Sequence, residues 1–192
     1  GSEMKFKAII CVMLVGVFTM GHAATSHSSR DKDIASIHSN LNSFSALADN
    51  NAYEYLTLLF APNVTTDYTS LFGGEAVTQK REILMQNWAA FLPGFDKTFH
   101  NLGNPSINRK EDIAFANVPF TASHWLGHDG FWQVSGIYHF TFRKIEGQWL
   151  ITSVTLEKRE EAGSRDILAI APENAKDRLA DLQQLKNDTL VH

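Results

Sequence analysis

The sequence contains a single cysteine, Cys11, and it lies in an apolar run close to the N-terminus. Beyond that run the chain has no means of forming a disulfide, a thiolate metal site or a thiol nucleophile. No block of basic residues occurs, which makes nucleic acid and anionic membrane surfaces poor partners. A serine-nucleophile signature is also missing. Gly73-Gly74 lacks the strand, glycine, lysine and helix order of a phosphate loop. There is no internal repeat and no low-complexity tract.

What is present begins at Met4, since Gly1-Ser2-Glu3 reads as a remnant of expression rather than native sequence. Lys5 and Lys7 precede an apolar run over residues 8–20, and Gly21-His22-Ala23-Ala24 follows. This charged, apolar and small-residue order is that of a secretory signal cleaved after Ala23 or Ala24. The alternative, a membrane anchor, needs about 20 apolar residues. A lipoprotein anchor would need its cysteine at the cleavage site, where Ala24, Thr25 and Ser26 stand. The expectation is an exported protein, periplasmic or secreted, with no membrane contact after cleavage. About 168 residues then remain, enough for one core and too few for two ordinary domains. Without Glu3, Lys5 and Lys7, the 17 basic and 21 acidic residues become 15 and 20, a net charge of −5.

Residues 25–32 are polar and serine-rich and read as a mobile lead-in. From Asp33, Ile34, Ile37, Leu41, Phe44 and Leu47 step by three and four, predicting an amphipathic helix that ends near Asp49-Asn50-Asn51. Tyr53, Leu56, Leu59 and Phe60 predict a second, short helix. Pro62 turns the chain into a strand over residues 64–68, and a third helix carries Ile83, Leu84, Asn87, Trp88 and Phe91 up to Pro93-Gly94. Strands are then predicted over 98–102, 106–109, 113–126, 131–144 and 149–159, the last three as an antiparallel meander. A further helix follows Pro172, over residues 173–187, placed to pack on the sheet or on a partner. The organisation is thus one α+β domain over residues 33–160 with a C-terminal extension over 161–192. Helices cover one face of a curled antiparallel sheet, leaving a cone-shaped interior walled by Phe115, Phe120, Trp125, Trp132, Tyr138, Phe140, Phe142 and Trp149.

Four polar residues stand where packing alone would not put them: Asp49 at a helix end, Tyr68 and His100 on early strands, and His124 late on a long one. Each also has a structural reading, as turn residue, core phenol or hydrogen-bonded strand histidine. The segments Ala48-Asp49-Asn50-Asn51-Ala52-Tyr53, Phe60-Ala61-Pro62, Thr66-Asp67-Tyr68, His100-Asn101-Leu102-Gly103 and Arg143-Lys144-Ile145-Glu146-Gly147-Gln148-Trp149 resemble, in order and spacing, the SnoaL-like group of the nuclear-transport-factor-2-like superfamily, which includes scytalone dehydratase. The resemblance spans residues 34–157. It implies a cystatin-like α+β barrel and an aspartate–histidine pair, Asp49 with His100 as general acid–base, with Tyr68 and His124 in the same pocket. The nineteen residues from Asp49 to Tyr68 and the twenty-four from His100 to His124 agree with that group within one residue. Ala48 and Gly136 stand where the fungal dehydratase carries polar residues, so its particular reaction is not implied; Tyr138 is a candidate replacement hydroxyl.

An imidazole titrates near neutrality, and a carboxylate on its other nitrogen fixes the tautomer and stabilises the imidazolium. A tyrosine that polarises a carbonyl makes the α-proton removable. The expected function is therefore a cofactor-independent lyase (dehydratase) or isomerase acting on a small apolar carbonyl-bearing molecule, with Trp88, Phe120, Trp132 and Tyr138 as substrate contacts. A non-catalytic binding or accessory protein of the same fold, and a homodimeric scaffold using the C-terminal helix and the His139 face, are the alternatives. His124 and His128 share a strand face about 13 Å apart without a nearby acidic third ligand, so no metal site is expected. The charge run Lys158-Arg159-Glu160-Glu161 reads as a solvated strand end.

Overall fold

Residues 16–190 are described by the structure, a computed structural model; most of the expected leader, residues 4–15, lies outside them. Helix α1 spans Gly16–Asp49 and runs unbroken through the stretch read as a lead-in. It ends where the sequence places its end, with Asn51 in the left-handed region at φ 53, a conformation that asparagine tolerates. Ile37, Leu41, Phe44 and Ala48 form its buried stripe. Among the described residues, no helix is long and apolar enough to cross a membrane.

The short helix α2 (Tyr53–Leu56) and a 3-10 turn (Thr57–Leu59) lead into strand β1 (Phe60–Asp67). This strand begins before Pro62 instead of after it. Its pairing with β7 (Gln148–Gly163) shifts register between Phe60 and Thr65, and the pairing with β2 (Val77–Lys80) starts at Asn63. Pro62 falls in that irregular stretch, so its missing N–H costs no ladder bond. Tyr68, expected in the strand, lies just past it as the residue capping the four-residue helix α3 (Thr69–Phe72). Helix α4 (Arg81–Ala89) and a 3-10 turn (Leu92–Gly94) complete the first half.

Strands β3 (Lys97–Leu102), β4 (Ser106–Lys110), β5 (Ile113–Leu126), β6 (Gly130–Ile145) and β7 follow. The sheet order is β2-β1-β7-β6-β5-β3, with β4 beside β3 on the same edge of β5. The β5–β7 meander is as expected, but β1 runs parallel to β7, so the sheet is mixed rather than wholly antiparallel. It curls without closing, with β2 as one edge and β3 and β4 as the other.

Alternation decides the inner face. On β5 it carries Ala114, Ala116, Val118, Phe120, Ala122 and His124; on β6 it carries Trp132, Val134, Tyr138, Phe140 and Phe142. Small residues on one strand thus face large ones on the next, so that Ala114 and Ala116 accommodate Phe142 and Phe140. Phe44 of α1 lies against this face in edge-on contact with Trp88, Tyr138 and Phe140. Of the aromatics expected as walls, Phe115 and Trp125 fall on the odd, outward face. Phe115 is 53% exposed, and Trp125 packs with Phe131 under Lys97. Phe140, Phe142 and Trp149 are buried in the solid part of the core.

Helix α5 spans Ile167–Leu190 and contains Pro172 instead of following it. It docks on the turn at Leu92–Gly94. A Cβ built on Gly94 would lie 1.7 Å from the Ala171 carbonyl oxygen, and Arg178 donates to the Pro93 carbonyl at 2.9 Å and to Asp96 at 2.5 Å.

Candidate functional site

Between α1, α3, α4 and the inner face of β5 and β6 lies a cavity of about 400 Å³. Trp88, Phe44, Phe91, Leu84, Trp132 and Val134 give it an apolar lining, and Tyr68, His100, His124 and Tyr138 give it a polar end. The 14-residue strand β5 and 16-residue β6 position this end. His124 and Tyr138 both stand at inward positions, and β3 brings His100 alongside through the His100–Ala122 pairing.

Asp49 terminates α1 with its carboxylate aimed at β3. It accepts the His100 backbone N–H at 3.0 Å and the Thr98 hydroxyl at 3.1 Å, and sits 2.6 Å from His100 Nδ1. Burial pushes its carboxyl up, but the bonds from the His100 ring and backbone and from Thr98 outweigh this and hold it below the usual carboxylate range. Asp49 does not itself line the cavity. It stands behind His100, orienting a ring whose Nδ1 is taken up by the carboxylate and whose Nε2 is left to exchange a proton.

His124, 3% exposed, places Nδ1 at 3.1 Å from the Trp132 carbonyl oxygen. A carbonyl only accepts, so Nδ1 carries hydrogen and Nε2 of the neutral ring offers a lone pair. Burial, aided by repulsion from His100, pushes His124 down to about 4. The two imidazoles meet edge to face, centroids 5.9 Å apart. Tyr68 and Tyr138 are the opposite case. Burial pushes both phenols up, so each remains a neutral O–H donor. Neither hydroxyl has a hydrogen-bond partner among the described residues, and both rings line the cavity. An apolar pocket with two unengaged donors beside a carboxylate-oriented imidazole suits a guest with a carbonyl or hydroxyl oxygen.

The structure brings together Tyr68, His100 and His124 on the lining and Asp49 behind them. Of the expected substrate contacts, Trp88, Trp132 and Tyr138 line the cavity. Phe120 does not: it is stacked behind Tyr138 with centroids 3.8 Å apart. The departures noted in the sequence have physical reasons. Ala48 lines the cavity, where a larger residue would fill it. Gly136 sits at a register shift of β6, and a Cβ there would lie 1.9 Å from the Glu157 carbonyl oxygen. His128 is exposed and bonded to Asp129 at 2.7 Å, well apart from buried His124. Sequence reasoning missed Phe44, Phe72, Thr66, Gln79 and Asn87 on the lining and Thr98 as a partner of Asp49. Phe44 was visible as core, but only the tertiary structure shows which core residues border a void.

The sequence matches the SnoaL-like domain family over residues 30–155. No curated protein matches it. Solved structures share its fold. The Kfla4162 protein of Kribbella flavida is 20% identical with a TM-score of 0.66, covering 77% of this chain and 99% of its own. A candidate scytalone dehydratase of Novosphingobium aromaticivorans is 20% identical with a TM-score of 0.62, covering 72% and 92%. A type 2 hexachlorocyclohexane dehydrochlorinase is 13% identical with a TM-score of 0.62, covering 71% and 92%.

Proposed function

The chain belongs to the SnoaL-like domain family of the nuclear-transport-factor-2-like superfamily, and from that premise we propose that it is an exported acid–base enzyme of the lyase or isomerase type. The observation that carries this reading is the 2.6 Å contact between Asp49 and Nδ1 of an imidazole that borders an apolar cavity. The names of two structural relatives, a dehydratase and a dehydrochlorinase, support loss of a small acid across a carbon–carbon bond as the reaction class.

In this reading His100 Nε2 takes the proton α to a carbonyl. The C–H electron pair moves into the carbonyl, whose oxygen gains charge and receives hydrogen bonds from Tyr68 and Tyr138. Asp49 stabilises the imidazolium formed. Collapse of the enolate then expels a β-hydroxyl, and the proton on His100 Nε2 leaves with it as water; return of the proton to another carbon gives the isomerase outcome. His124, neutral with Nε2 as acceptor, holds a substrate hydroxyl rather than an oxyanion. The cavity's lining favours a small apolar molecule as substrate, and none of these steps calls on a cofactor.

The test is α-deuteration of a panel of aryl ketones and β-hydroxyketones in D2O, followed by NMR. Wild-type protein is expected to accelerate exchange on at least one of them, and His100→Ala to lose about 10²–10⁴-fold of that rate. Undiminished exchange in His100→Ala ends the proposal, and binding without any exchange leaves a binding protein. Export rests on the order of residues 4–24; mass spectrometry of secreted or periplasmic protein beginning at residue 24 or 25 is its check.

A further inference from the structure

Two rings in contact close one side of the cavity. Trp132 is one, buried, and Phe72 is the other, lining the cavity although 54% of it is exposed. Their centroids are 6.3 Å apart at an interplanar angle of 35°. Phe72 ends α3, and Gly73 and Gly74 follow at φ 70 and 78 with open space around them. The segment is therefore loose on its glycine side. On its other side Ser70 Oγ donates to the Leu156 carbonyl at 2.5 Å and accepts the Lys158 N–H at 2.9 Å.

A further tie comes from a distant part of the chain. Arg165, between β7 and α5, donates to the Leu71 carbonyl at 2.9 Å, and its guanidinium carbon lies 5.8 Å from the Phe72 ring centroid. Glu161 holds Arg165 through both carboxylate oxygens, at 2.8 Å for Arg165 Nε. The same carboxylate accepts the Trp132 indole N–H at 3.0 Å. Thus one side chain grips both rings, Trp132 directly and Phe72 through Arg165. The charge run over residues 158–161 is solvated as its sequence suggests, and Glu161 within it also bonds Trp132 and Arg165. Only a guanidinium can bond one carboxylate twice, reach a carbonyl and still lie near a ring.

We infer that Glu161 and Arg165 are positioning residues that set how readily these two rings part, and with it the rates at which an apolar guest enters and leaves. Neither lines the cavity, so their influence passes through Trp132 and Phe72. The inference requires only uptake of an apolar molecule and is independent of the acid–base reading. Its test is stopped-flow fluorescence with the neutral probe N-phenyl-1-naphthylamine on the full chain, with Arg165→Gln, Arg165→Lys and Phe72→Ala as variants.

Arg165→Gln and Phe72→Ala are expected to raise association and dissociation rate constants together, by about tenfold, while the ratio of the two changes far less. Arg165→Lys behaves as Arg165→Gln does, because an ammonium cannot make the fork. Unchanged rates, a rise in dissociation alone, which is the signature of a lost contact, or no uptake by any of the proteins overturns the inference. Phe72 is exposed, so its variant reports on the parting of the rings even where loss of Arg165 costs folding.

Discussion

Asp33 is only 6% exposed, yet it remains charged because three elements converge on it. Burial pushes its carboxyl up, but bonds from the Trp149 indole at 2.9 Å, Arg109 at 3.0 Å and Lys144 at 3.1 Å outweigh this and hold it low. The single carboxylate ties α1 to β4, β6 and β7. Asp33→Ala leaves a buried indole N–H and two cations without their partner, and is expected to cost about 3 kcal/mol, read from urea unfolding midpoints. Asp33→Asn should cost less, since it keeps an acceptor for Trp149. In the sequence this residue was legible only as the first position of a periodic helix. Its partners lie up to 116 residues away, and no local pattern marks such a convergence. Asp49 was legible for a different reason: its residue type at a helix end, followed by two asparagines, already set it apart from packing.

The elements that sequence patterns revealed are those with a strong apolar period. The three long strands and the buried stripe of α1 have one; β2 does not, because its residues are nearly all exposed. Proline was misleading in two places. Pro62 lies inside β1 at an irregular pairing and Pro172 inside α5, where each element tolerates the lost N–H. The docking of α5 depends on close backbone approach, which only glycine allows at position 94. Gly94→Ala forces the Leu92–Gly94 turn and the start of α5 apart, and is expected to cost about 1–3 kcal/mol, visible as a lowered thermal midpoint. Insertion of a methyl group without effect on that midpoint would show that the helix is only loosely seated.

The whole molecule responds to pH through the residue it buries most completely at the polar end of the cavity. His124 titrates near 6.5 when unfolded and about 4 when folded. The unfolded chain therefore binds a proton first, so stability is full above 6.5 and declines as pH falls toward 4. The decline attributable to His124 amounts to at most about 3 kcal/mol. Asp33 and Asp49, held low, begin to lose their contributions as pH falls through the ordinary carboxylate value, at the acid edge of this window. Urea midpoints between pH 7 and 4 should accordingly flatten in His124→Phe relative to wild type; parallel profiles would refute the assignment. At this scale the sequence announced the layers but not how the sheet is joined, since the parallel pairing of β1 with β7 joins distant strands and leaves no local signature. That pairing has a consequence for the order of events in folding. A chain growing from its N-terminus has β1 available early, but the strand between β1 and β6 is the last of the sheet to be made, and without it the two halves share no ladder. Loop closure over most of the domain must precede the reward of pairing. The nascent protein stays open until residues 148–163 have emerged, and no enclosed cavity exists before then.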